Sequence, residues 1–380
     1  MPDPGLIIEN QATAPSGLLG RWLQAQGIPA PVHRSGVVAR YPVINLKNPQ
    51  SRRVPISACA PFVIPDQPGL GAEEALARPR SPGALPLWRL ARKILGRSVG
   101  VALGGGAAFG ISHLGVLQVL ERNSIPIDLI VGCSIGSLVA VSYAAGFSID
   151  EMMDKAHEMG KGPYVASGLD FTFTKPGGIL GGERLKRRFT PLLGSHKTFE
   201  DLLIPCRTVA TDIRSGELVS IGRGRLEDAY RASSSVPMVL APEALGGRVL
   251  VDGGVADPVP AETVRHMGAD LCIAVPVVPP LKKGVETAVS KWSRRLNVMN
   301  PFAYLSSASD MPNAFDITMN SLQTLQHELG LYKVISADVS IAPELSDFTW
   351  TDFDRSEELI ERGVEAAEAA LPALRKMLRP

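Results

Sequence analysis

The stretch SVGVALGGGAAFGISHLGVLQVLERNSIPIDLIVGCSIGSLVAVSYAAG, residues 98–146, decides the fold. An apolar run, Ser98–Leu103, ends on the cluster Gly104-Gly105-Gly106-Ala107-Ala108-Phe109-Gly110. Ser112–Arg122 then carries Leu114, Leu117 and Leu120 at helical spacing. A short apolar run, Ile127–Val131, leads into Gly132-Cys133-Ser134-Ile135-Gly136, and Ser137–Ala145 is a helix of small residues stopped by Gly146. Gly-x-Ser-x-Gly after a strand suits a serine on a sharp strand-to-helix turn, where small flanking residues let the chain fold back. A glycine-rich loop after the neighbouring strand can aim backbone N–H groups at the same point, which a developing oxyanion requires.

Outward from this stretch the alternation continues. Apolar runs at Arg207–Thr211, Glu217–Ile221, Arg248–Val251, Leu271–Pro276 and Val334–Ile341 are predicted strands, and a long helix around Glu357–Met377 closes the chain. Strands alternating with helices predict an α/β sandwich with a largely parallel central sheet. Before residue 84 the character is different. Thirteen of the 31 prolines lie in residues 1–82 and interrupt every apolar run. This part reads as an irregular extension, with a short helix near Leu18–Gln24 and strand-like pieces at Tyr41–Ile44, Val54–Ile56 and Phe62–Pro65. Leu85–Gly96 has helical spacing, with Leu87, Leu90 and Ile94 among Arg89, Arg92 and Lys93. It is either a helix docked with its charges solvated or a basic amphipathic helix resting on an anionic membrane. The predicted organisation is therefore an extension over 1–84, a connecting helix over 85–96 and a catalytic domain over 97–380.

With 380 residues, 45% hydrophobic and 20% charged, the chain can bury a full core. A net charge of +1 offers no overall field to draw in nucleic acid, so no nucleic-acid partner is expected. Cys59, Cys133, Cys206 and Cys272 are scattered without a C-x-x-C pair, as for reduced thiols in a cytoplasmic setting. The first residues lack a secretory pattern, and no apolar run is long enough to span a bilayer. A protein in the cytoplasm, with peripheral contact to a membrane surface as an option, is the expectation.

A serine hydroxyl needs a base. His33 lies in the extension, His113 opens a core helix, where capping or packing is expected, and His157 and His196 sit in polar stretches. His266 lies mid-helix, and His327 is on a predicted helix far from any strand end. None follows a strand directly, where a triad histidine is expected. Asp252 does end a strand, and Gly253-Gly254 after it leave the backbone free to bend toward another group. A carboxylate shielded from water and hydrogen-bonded to serine can take its proton. On its own, Asp-Gly is equally the opening of a turn.

The three blocks Gly104–Gly110, Gly132–Gly136 and Asp252-Gly253-Gly254, in this order, resemble the signature blocks of the patatin-like phospholipase family. The likeness runs from about Arg97 to the C-terminus and includes Thr198–Leu202, Val209–Asp212 and Arg231–Pro237. It is strongest to bacterial members similar to neuropathy target esterase. The resemblance implies a three-layer α/β/α sandwich and a Ser–Asp dyad, with Ser134 as nucleophile and Asp252 as base. It also implies an oxyanion hole of backbone amides at Gly104, Gly105 and Gly106, with Gly110, Gly132, Gly136, Gly253 and Gly254 as supporting motif glycines. The implied substrate is an acyl ester of a lipid, phospholipid or lysophospholipid, and the chemistry needs no cofactor and no metal. Two positions depart from the pattern. Phe109 stands where many relatives have arginine, and Asp257 opens a stretch where Asn-x-Pro is frequent.

Other readings are weaker on the residues. A dinucleotide fingerprint would need a third glycine where Phe109 stands. An α/β-hydrolase or acyl-carrier transferase would need a placed histidine, and a non-catalytic lipid-binding member of the same fold would keep the motifs without activity. Val285–Ser307, with Trp292, Phe302 and Tyr304, is equally a lipid-facing cap or a packed insertion. Arg184, Lys186, Arg187 and Arg188 read as a solvated helix face, with lipid headgroups as the other option.

Overall fold

The structure, a computed structural model, describes Leu6–Ile8, Tyr41–Leu46, Phe62–Pro65 and residues 84–161, 178–193, 198–281 and 314–378. The chain divides into two compact units, residues 1–98 with Met267–Asp270, and the remainder. In the first, β1 (Leu6–Ile8) pairs antiparallel with β2 (Tyr41–Leu46), and β3 (Phe62–Pro65) joins β2 in parallel. α1 (Ala84–Ile94) follows. Asp270 holds this unit's end in place: one carboxylate oxygen pairs with Lys93 at 3.0 Å and the other accepts the Ser98 N–H at 3.0 Å. Two predicted strand-like pieces are thus strands, while Val54–Ile56 and Leu18–Gln24 lie outside the described residues.

The second unit starts at β4 (Val99–Leu103), followed by a 3₁₀ turn at Ala107–Ile111, α2 (Ser112–Arg122), β5 (Leu129–Cys133), α3 (Ile135–Ala144) and α4 (Ile149–Gly160). Next come β6 (Gly178–Leu180), α5 (Glu183–Phe189), β7 (Cys206–Asp212), β8 (Leu218–Ile221) and α6 (Leu226–Ser233). β9 (Met238–Leu240), β10 (Glu243–Leu245), β11 (Arg248–Asp252), α7 (Ala261–His266) and β12 (Leu271–Val275) follow. α8 (Ala314–Lys333), β13 (Val339–Ser340) and α9 (Ser356–Leu378) complete it.

The main sheet runs β10-β11-β7-β5-β4-β12-β13, with β8 also on β7. The pairs from β7 to β13 are parallel, whereas β8, β10 and β11 join antiparallel. Every residue of β4 and β5 is buried, as expected for central strands covered on both faces by helices. α3 is buried on almost all sides, which its unbroken run of small and apolar residues allows. α2 and α9 touch backbone to backbone through two glycines. A side chain on Gly115 would overlap the Ile360 carbonyl, and one on Gly363 would overlap that of Ser112.

Arg231 ties the separate β6–β9 pair to α6. Its fully buried guanidinium donates to Gly181 O at 2.8 Å, Ala241 O at 2.6 Å and Ser235 Oγ at 2.5 Å. The basic run falls on α5, where Lys186 pairs with Asp228 and Arg187 with the carbonyl of its own helix at Glu183.

Candidate active site

Ser134 sits between β5 and α3 at φ 51° and ψ −124°, a conformation that costs a non-glycine residue about 1–3 kcal/mol. The surroundings hold it there. Its carbonyl accepts the Ser137 N–H at 2.8 Å and the Ser137 hydroxyl at 2.5 Å, and its own N–H bonds to Ser233 Oγ at 2.9 Å. The tight turn needs the motif glycines for space. A Cβ on Gly132 would overlap the backbone of Gly136, and one on Gly136 would lie 2.5 Å from Leu103 O and 2.6 Å from Gly104 O. Gly136→Ala is therefore expected to destabilise the protein by about 3 kcal/mol or more through overpacking. In a domain of this size that is a Tm loss of roughly 6–12 °C in a thermal melt, and an unchanged Tm would contradict the packing described.

Asp252, the last residue of β11, is buried; its carboxylate accepts the Gly254 N–H at 2.7 Å, and the Ser134 side chain lies close enough to hold its pKa down. The structure thus brings the serine of one predicted motif and the aspartate of another to the wall of one cavity. Gly253 lies so close to Val209 O that it has no room for a side chain, while a side chain at Gly254 would displace the Gln326 amide. Gly110 is likewise closed off by Ile135. Burial pushes the Asp252 carboxyl up to about 6, with the Ser134, Gly254 and Cys133 hydrogen bonds acting against it. The Cys133 thiol, 3.9 Å from the same carboxylate, is driven well up by burial and by the charges of Asp252 and Asp257.

The glycine loop differs from the expectation. Gly104 N–H donates to Val275 O and Gly105 N–H to Pro258 O, both at 3.0 Å. The reason is the sheet: Leu103 pairs with Val275, so Gly104 simply continues the β4–β12 ladder. Among the described residues, Gly106 and Ala107 are the loop positions whose N–H groups take no backbone carbonyl, and both border the cavity at Ser134. Gly106 lies at φ 157° and Ala107 at φ 48°.

The cavity, about 250 Å³, is walled by apolar side chains, among them Phe109, Met159, Val239, Met319, Trp350 and Phe353. Gln323 and Gln326 reach it from α8. Phe109 is thus a wall residue, almost fully buried. Asp257 is also fully buried, neither of its oxygens has a hydrogen-bond partner among the described residues, and burial pushes its carboxyl up to about 7.

Three of the described histidines are engaged elsewhere. His113 donates from Nε2 to Gly104 O at 2.8 Å, bracing the loop, and burial lowers its pKa to about 4, so it stays neutral. His157 bonds Ser356. His327 is not remote from strand ends as expected: its Nδ1 bonds Val278 O at 2.9 Å, three residues past β12. The long α8 brings it there, and no local signal shows where a helix of 20 residues will lie. Residues 33, 196 and the segment 285–307 lie outside the described residues. Ala107, Ser233 and the cavity side of α8 escaped sequence reading; the run Ser233-Ser234-Ser235 at a helix end was the one visible hint.

The family model of patatin-like phospholipases matches residues 101–265. Lysophospholipase NTE1 of Debaryomyces hansenii is 33% identical over 291 residues, spanning 74% of this chain and 18% of that protein. Patatin-like phospholipase domain-containing protein 6 of Homo sapiens is 29% identical over 288 residues, 74% of this chain and 21% of that protein. An uncharacterized NTE family protein of Mycobacterium tuberculosis is 35% identical over 202 residues, 52% of this chain and 55% of that one. The chain spans about a fifth of the first two relatives and about half of the third. Its matched residues include both glycine motifs and Asp252-Gly253-Gly254, so the chain carries a patatin-like phospholipase domain.

Proposed function

We propose that the chain is a serine hydrolase of lipid acyl esters, with Ser134 as nucleophile and Asp252 as general base. The observation that carries this reading is the Ser134 side chain beside a buried carboxylate at the wall of an apolar cavity. Asp252 accepts the hydroxyl proton as Ser134 Oγ bonds to the ester carbonyl carbon, and the carbonyl electrons move onto oxygen. The N–H groups of Gly106 and Ala107, with the N-terminus of α3 behind Ser134, receive that oxyanion. The oxyanion then collapses, the ester C–O bond breaks, and the proton on Asp252 passes to the departing alkoxide. Water repeats the sequence on the acyl-serine, with Asp252 again taking the proton, and the fatty acid leaves.

The apolar walls suit a fatty acyl chain, and the relatives' name lysophospholipase supports a single-chain lipid as substrate. The proposed catalytic unit is residues 97–380, extending past the family match. Met319, Trp350 and Phe353 wall the cavity, and β12 anchors Gly104. No described helix is long and apolar enough to cross a membrane. Peripheral contact is supported by α8, which lines the cavity with Met319, Leu322 and Gln326 and exposes Ile317, Leu325, Leu331 and Tyr332 on its other side.

Labelling with a fluorophosphonate, which needs an activated serine, tests the reading together with hydrolysis of lyso, diacyl and neutral acyl lipids. A folded protein that neither labels nor hydrolyses any of them is a non-catalytic family member. The base makes a further prediction. Asp252 must be ionised to accept a proton, and its carboxyl titrates at about 6. kcat/KM is therefore expected to be level above pH 7 and to fall about tenfold per unit well below pH 6. A profile flat down to pH 4.5 would exclude Asp252 as the base.

A further inference from the structure

The point where Ser134 and Asp252 meet is a break in the sheet, and one side chain spans it. β5 runs parallel to β7 up to the pair Cys133–Val209, while β11 runs antiparallel to β7 and reaches it at the pair Asp252–Ala210. Ile130 N–H bonds Pro205 O, and Ile213 N–H bonds Val249 O. Residues 205 and 213 are both odd-numbered, and alternate residues of a strand present N–H and C=O to the same edge. Asp212 N–H, at an even position, bonds Glu217 O on the other edge, beside β8. β5 and β11 therefore occupy one edge of β7 and run toward each other, which is why their last residues, one bearing Cys133-Ser134 and the other Asp252, converge.

The rungs of a parallel ladder fall at every second residue. From Ile130–Pro205, the register puts the next at Gly132–Arg207 and the one after at Ser134–Val209. That last rung is not a direct bond. Ser233 Oγ, fully buried, accepts the Ser134 N–H at 2.9 Å and donates to Val209 O at 2.6 Å. A hydroxyl has one hydrogen, so the donation to the carbonyl and the acceptance from the amide fix its direction. The hydroxyl is a spacer. It lengthens the rung, lifts Ser134 off β7, and satisfies both backbone groups that the lift would leave unpaired. The lift is what admits Asp252, seated at the very next residue of β7.

We propose that Ser233 is a positioning residue for catalysis: its hydroxyl, inserted in the β5–β7 ladder, sets the height and the positive-φ conformation of Ser134 so that the nucleophile meets Asp252. The inference rests on the reading of Ser134 as nucleophile and Asp252 as base. It assigns a role in the chemistry to α6, whose last residue is Ser233.

Ser233→Ala removes the spacer while keeping the volume of the Cβ. Ser233→Cys fills the site with a weak donor and acceptor. In each, kcat is expected to fall about 10–100-fold, the cost of an ångström-scale misplacement of a reacting group. KM, set by the cavity walls, is expected to hold. The Ser134 hydrogen bond lowers the Asp252 pKa, so weakening it moves the acidic limb of the pH–rate profile upward. A residue that served stability alone would lower Tm without moving that limb in the folded enzyme. If either variant, folded by circular dichroism, keeps the wild-type kcat and acidic limb, the proposal is overturned. Ser134→Ala run in parallel separates the two failures. If it retains hydrolysis, the dyad reading itself falls; if it is inactive while Ser233→Ala is unchanged, the positioning role alone falls.

Discussion

Ser134→Ala is expected to lose lipid-ester hydrolysis by about 10³-fold or more and to lose fluorophosphonate labelling altogether. The fold should survive the change. The hydroxyl holds no element of the turn in place, while the backbone N–H and C=O keep their bonds to Ser233 and Ser137. Alanine also accepts the positive φ at no greater cost than serine, as Ala107 does at φ 48° a short distance away. Loss of activity with an unchanged melt would thus be a chemical loss. Because the two groups act as a unit, the double variant Ser134→Ala with Asp252→Asn should be no slower than the worse single one. Retained turnover in folded Ser134→Ala would place the nucleophile elsewhere.

Where the fold was legible in the residues, the signal was apolar continuity or helical spacing. β4, α2, β7, β11, β12 and α9 lie within one or two residues of where those patterns put them. β5 was expected over Ile127–Val131 and lies over Leu129–Cys133. The Asp128 carboxylate turns aside to accept the Val99 N–H at 2.9 Å, and the ladder carries on through Gly132 and Cys133, which have no apolar periodicity of their own. Val334–Ile341 reads as one apolar run, yet only Val339–Ser340 pairs with β12, because Val334–Ser336 is a 3₁₀ turn that leaves Ile335 in solvent.

The site was legible as motifs but not as a set of donors. Three glycines in a row say that backbone comes close to something. They do not say which amides the neighbouring strand has already taken, and β12 takes that of Gly104. The roof of the cavity was hidden for a different reason. α8 is apolar on its cavity side at Met319 and Leu322 and on its outer side at Ile317 and Leu325, so no single stripe marks it. Ser233 was hinted at only by the serine run at a helix end, since a hydroxyl inserted in a ladder obeys no periodicity.

Asp252→Asn should separate activity from stability with opposite signs. Hydrolysis is expected to fall by about 10³-fold or more, since an amide cannot accept the Ser134 proton. The fold is expected to gain. A buried carboxyl raised from 3.8 to about 6 favours its protonated form in the folded state. Stability therefore declines as pH rises through that interval and levels off above it. A rise of that size corresponds to about 3 kcal/mol at most. Asparagine lacks that charge, can still accept the Gly254 N–H that now bonds the carboxylate, and can donate to Ser134 Oγ. At pH 8 the variant should melt a few degrees above the wild type, and the difference should shrink as pH falls from about 6 toward 4. A gain that vanishes on acidification ties the catalytic loss to the same proton, because the carboxylate that strains the folded state is the one that accepts hydrogen from serine. An Asp252→Asn protein that melts below wild type at pH 8, or that still hydrolyses ester at the wild-type rate, would show that the buried charge is not the one on which the chemistry depends.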